Sequence, residues 1–102
     1  MEKKGDLRRH QRTAVSGQAQ LSWTDRMGEQ KFAYARILDV SESGLRVELR
    51  EALARHAYVS LRADHIALQG SASVRSCVKK GSLYLVGLEF SGGMKWKPKL
   101  KE

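Results

Sequence analysis

The sequence predicts an all-β domain, an antiparallel barrel or sandwich, on three observations. Apolar and polar residues alternate with a period of two over most of the chain, which places side chains on opposite faces of strands. Short polar stretches containing glycine separate the alternating runs. Good helix formers follow one another in only one segment, Glu51 to His56. At 102 residues there is material for one domain with one modest core.

The elements follow in order. Residues 1–12 have no apolar periodicity and contain Gly5, so they read as a flexible basic arm that orders on binding. From Thr13 the pattern changes: Val15, Gly17, Ala19, Leu21 and Trp23 alternate with Ser16, Gln18, Gln20 and Ser22, the mark of a half-buried strand. Thr24 to Glu29 suits a hairpin loop. Lys31 to Val40 is a second strand of poorer periodicity, with apolar residues on both faces. Asp39-Val40-Ser41-Glu42-Ser43-Gly44 turns the chain, since Asp and Ser bond nearby backbone and Gly44 permits a positive φ. Leu45, Val47 and Leu49 alternate in a third strand.

Glu51 to His56 predicts one or two turns of helix. Ala57 to Arg62 alternates again, Asp64 and His65 make a turn, and Ile66 to Val78 keeps the period of two. Lys79 to Ser82 carries a hairpin signal at Gly81, and Leu83 to Phe90 is the last strand. Six strands with short turns result, forming an antiparallel barrel or sandwich over residues 13–91 and followed by a short lysine-rich tail over 92–102.

Charge narrows the partners. The formal net charge of +8 requires that an anionic partner be considered. Each end of the chain, 1–12 and 94–102, has three positive charges in excess, so the body between them is close to balanced. Cys77 is the only cysteine, which excludes an internal disulfide and favours a reducing compartment. The longest apolar run, Leu83 to Leu88, is far short of a membrane span, and the charged N-terminus shows no secretory signal. A soluble cytoplasmic protein is the expectation.

Two motifs stand out in this frame: Arg8-Arg9-His10-Gln11-Arg12, and Asp39-Val40-Ser41-Glu42-Ser43-Gly44. In this order, with room for two strands between them, they resemble the R-x-x-x-R and D/N-x-S-x-x-G motifs of the PilZ domain, the bacterial receptor domain for cyclic di-GMP. Val86-Gly87-Leu88-Glu89-Phe90 also resembles that family's last strand. The resemblance implies a six-stranded antiparallel β-barrel whose arginine arm folds over the D-x-S-x-x-G turn. The chain departs from the family at two places. Its end, with two glycines and a proline, leaves room for at most a short helix, and Arg55-His56-Ala57 stands where a glycine is frequent.

The ligand's chemistry matches the residue types. Guanine O6 and N7 accept from a planar guanidinium, its N1–H and N2–H edge needs a carboxylate or hydroxyl, and its phosphates call again for arginine. Arg8 and Arg12 are thus expected on guanine edges and phosphate, with Arg9 adding a contact or stacking on a base. Asp39 is expected to accept from the guanine N–H edge, Ser41 to add a hydroxyl, and Gly44 to keep bulk away where ligand approaches backbone. A sensor of this kind implies an effector protein that receives the signal. No nucleophile with a base, no phosphate loop and no metal-ligand spacing is present, so neither catalysis nor a metal or other cofactor is expected. The alternative is a small basic barrel that binds RNA or single-stranded DNA, supported by the basic ends and an exposed Trp96.

Overall fold

A computed structural model describes residues 13–96. Its strands are β1 (Thr13–Ala14), β2 (Gln18–Thr24), β3 (Gln30–Ser41), β4 (Gly44–Leu49), β5 (Tyr58–Ala63), β6 (Leu68–Lys80) and β7 (Leu83–Phe90), with one 3₁₀ turn at Asp64–Ile66. The sheet runs β3-β2-β5-β6-β7-β4, and β4 pairs back onto β3, so six antiparallel strands close into a barrel. The two-residue β1 adds to the far end of β3. Closure leaves none of the six strands as a free sheet edge.

The alternating residues fill the interior. Ala19, Leu21 and Trp23 of β2 meet Ala35 and Ile37 of β3, Val47 of β4, Leu61 of β5, Val74 of β6 and Val86 of β7, all buried. The first expected strand is broken into β1 and β2, with Gly17 at a φ of +103° between them. The His65 ring packs where a Cβ at residue 17 would lie, and His65 Nε2 is 2.8 Å from the Ser16 carbonyl oxygen.

Two β-bulges explain where the simple period fails. The β3–β4 register shifts between Ile37 and Asp39, so Ile37 and Val40 both face the core. This is the origin of the mixed faces of β3: the extra residue reverses the side-chain parity part-way along the strand. A second shift, between Val74 and Ser76 in β6, turns Cys77 rather than Val78 toward the interior. Val78, expected to continue the apolar face, is therefore 55% exposed.

The helix expected at Glu51–His56 does not form. These residues cross one end of the barrel from β4 to β5, which are not neighbours, and Leu53 is buried there. The His56 amide donates to the Val74 carbonyl at 2.8 Å, tying the crossing to β6. A six-residue helix is below the length at which helical hydrogen bonds offset nucleation, so sheet contacts prevail. His56 itself has a φ of +74°, the left-handed conformation that glycine adopts most easily.

Trp96, expected to be exposed, is buried. Its indole Nε1 donates to the Ile66 carbonyl at 2.9 Å and its amide donates to the Glu42 carbonyl at 3.1 Å. The indole combines apolar area with one donor, and the barrel satisfies both. Its burial removes one support for the nucleic-acid alternative.

Candidate ligand-binding site

The second motif divides between two strands rather than forming one turn. Asp39, Val40 and Ser41 end β3, Glu42 and Ser43 alone make the loop, and Gly44 opens β4. The two-residue loop sets the register: Ser41 faces Gly44, Val40 faces Leu45, and Asp39 faces Arg46. Ser41 is buried and organises the hairpin, with its Oγ accepting from the Ser43 amide and donating to the Gly44 carbonyl, both at 3.3 Å. From β7, the Phe90 amide donates to the Ser43 carbonyl at 2.8 Å.

Gly44 does not take the positive φ expected of it. Its role is close approach. A Cβ there would lie 2.1 Å from the Leu88 carbonyl oxygen, inside the β4–β7 contact that closes the barrel. Backbone cannot retreat from such an overlap as a flexible side chain can, so glycine is required.

Asp39 is 8% exposed and lies on the outer side of the barrel wall, where the bulge at Leu38 turns it. Arg46 holds it: Nε donates to Oδ2 at 2.9 Å and to Oδ1 at 3.2 Å, and an Nη2 hydrogen bond completes the fork. The carboxylate raises the Arg46 pKa, first by that hydrogen bonding and then by its charge. Arg46 was absent from the sequence expectations. Its signal was available, since a two-residue hairpin loop places the residue two beyond Gly44 opposite Asp39.

Arg8, Arg9 and Arg12 lie outside the described residues. The strand that follows them does not. In β1, Thr13 pairs with Val40 and Ala14 with Asp39, so the chain reaches the barrel beside the second motif. Beyond Arg46 a cleft of about 310 Å³ opens, lined by Ser43, Arg46, Arg75, Ser76 and Gly87 among others. Arg75 forms an ion pair with Glu89 across it. Among the described residues, no three His, Cys, Asp or Glu side chains gather as a metal site would need, and no helix is long and apolar enough to cross a membrane.

The structure is thus a closed six-stranded antiparallel barrel with a polar, arginine-bearing hairpin on its wall. The sequence matches the PilZ domain family over residues 6–94, and the chain belongs to that family. PilZ domains are cyclic di-GMP-binding domains that act as binding and adaptor modules rather than as enzymes. No curated protein matches the sequence.

Proposed function

We propose that this domain is a cyclic di-GMP receptor in which the segment carrying Arg8, Arg9 and Arg12 closes over the β3–β4 hairpin when the ligand binds. Arg8 and Arg12 take guanine edges and phosphate, Arg9 adds a contact or stacks on a base, and Asp39 accepts from a guanine N–H edge. Ser41 adds its hydroxyl, and Gly44 leaves the hairpin shoulder bare. Closure changes the surface presented to an effector protein, which carries the signal onward.

The observation that carries this reading is the pairing of Ala14 with Asp39. Arg12 precedes Ala14 by two residues, and two residues of extended chain span about 7 Å. The start of β1 beside Asp39 supports a site in which Arg12 reaches the carboxylate that the same ligand needs.

A second observation bears on the nucleic-acid alternative. Phe32, Tyr34 and Tyr58 are 74%, 63% and 70% exposed on the outer wall of β3 and β5, on either side of β2. Aromatic faces can stack on bases. The neighbouring cations, however, are paired: Lys31 with Asp25, Arg36 with Glu48 and Arg62 with Asp64. That wall therefore lacks the net positive field that tracks a phosphate backbone.

Titration calorimetry of the full chain against cyclic di-GMP, GTP, cyclic GMP and a mixed-sequence single-stranded oligonucleotide, at near-physiological salt, tests the proposal. Selective binding of cyclic di-GMP is expected. Tight binding of the oligonucleotide alone, with a steep salt dependence, would reverse the order of the two readings.

A further inference from the structure

Asp39 belongs to a row of residues that crosses the outer wall of the barrel. Ala14, Asp39, Arg46, Gly87 and Ser76 are successive cross-strand partners on β1, β3, β4, β7 and β6. The row has no side chain at Gly87, and the cleft of about 310 Å³ lies over this gap. Arg46 stands on one side of it, Ser76 and Arg75 on the other. Arg75 sits at the β6 bulge, a feature that re-aims a side chain relative to the regular pleat. Two guanidinium groups and a hydroxyl around a bare floor can meet a phosphate group once Arg46 and Arg75 leave Asp39 and Glu89, the carboxylates they are paired with.

Asp39 sharpens the point. An ionised carboxylate offers about four acceptor directions. Arg46 directs two N–H groups at it, with the single Nε hydrogen shared between Oδ1 and Oδ2. A guanine edge would bring two more donors to the same two oxygens, in competition with the Arg46 fork. The Arg46 and Arg75 side chains are 46% and 59% exposed, so both guanidinium groups can reach a ligand in the cleft, and the Arg75–Glu89 pair, exposed on both sides, adds little net stability.

We propose that this cleft is the phosphate-binding half of the site, in which Arg46 passes from Asp39 to a phosphate of the cyclic dinucleotide. Arg75 and Ser76 meet the same phosphate from the opposite wall, and Gly87 leaves it room. Asp39 accepts the guanine edge in place of the Arg46 fork. This assignment rests on the cyclic di-GMP reading above and adds four residues that lie outside both sequence motifs.

The test is calorimetry with cyclic di-GMP at low and near-physiological salt on the parent chain, Arg46→Ala, Arg75→Ala and Gly87→Val, with thermal unfolding measured in parallel. A Cβ at residue 87 meets only the Ser76 side chain within 4 Å, with Oγ at 2.8 Å, a group that can rotate away. Gly87→Val should therefore fold normally while filling the cleft. Each variant is expected to bind at least tenfold more weakly, and the two arginine variants should show a shallower salt dependence. A purely structural role for either arginine would change unfolding and leave the salt dependence unchanged. If the parent binds and Arg75→Ala and Gly87→Val match it within twofold at both salts, the cleft is not part of the site and the receptor function stands. If the parent itself does not bind, the receptor reading fails and the phosphate assignment fails with it.

Discussion

Arg46 grips Asp39 through a forked contact across the β3–β4 pair, with Nε to Oδ2 at 2.9 Å, on the outer wall of the barrel. The motif carboxylate thus already has a guanidinium partner of its own, on the strand that the hairpin brings alongside. Under the proposed assignment, a ligand at Asp39 would compete with that guanidinium rather than fill an idle acceptor.

The first prediction concerns the motif residues themselves. Charge-assisted hydrogen bonds contribute about 1.5–3 kcal/mol each. Arg12→Ala and Asp39→Ala should each weaken cyclic di-GMP binding by roughly 10- to 100-fold. Calorimetry measures this directly, and parent-like affinity in either variant would remove that residue from the site.

Gly44 should be intolerant of any side chain for a reason of packing. A Cβ there would overlap the Leu88 carbonyl, whose 2.1 Å separation is far below contact distance. Gly44→Ala is expected to cost about 1–3 kcal/mol of stability as β4 and β7 are pushed apart. Urea unfolding gives the value. A variant as stable as the parent would mean that the closing strands yield at no cost.

His56 offers the opposite case. Its φ of +74° is unfavourable for a residue with a Cβ, by about 1–2 kcal/mol. His56→Gly removes that strain but adds unfolded-state freedom that costs roughly 0.5–1 kcal/mol. A net gain of about 0.5–1 kcal/mol is expected in chemical denaturation, and a loss would show that the imidazole makes a compensating contact.

Trp96 should behave as a core residue. Trp96→Ala removes a buried ring and its hydrogen bond to Ile66, for an expected loss of about 3–5 kcal/mol. Trp96→Phe retains most of the apolar contact and should lose less. Thermal unfolding separates the two, and a near-neutral Trp96→Ala would contradict the burial.

Much of this architecture was legible from local pattern. Ala19, Leu21 and Trp23 face inward as their spacing requires, and Gly81, with a φ of +65°, turns β6 into β7 between Lys80 and Leu83. The motif order pointed to the family, which the match over residues 6–94 establishes. The two bulges were not legible, because an unpaired extra residue is defined by the partner strand and leaves no mark in its own sequence. For that reason Val78 was expected inside and lies outside, while the face carried by Asp39 could not be assigned.

The sequence by itself determined an all-β chain, the sites of its tight turns and the residue types that a guanine-bearing anion requires, because these depend on period, backbone freedom and side-chain chemistry. Tertiary structure alone decided that the six strands close, that Glu51–His56 crosses the barrel end without a helix, that Trp96 is core, and that Gly44 is a contact glycine. It also set Arg46 beside Asp39 and brought Arg46, Arg75 and Gly87 around one cleft. Arg46 lies far along the chain from Arg75 and Gly87, and only the register of β4, β6 and β7 makes them neighbours.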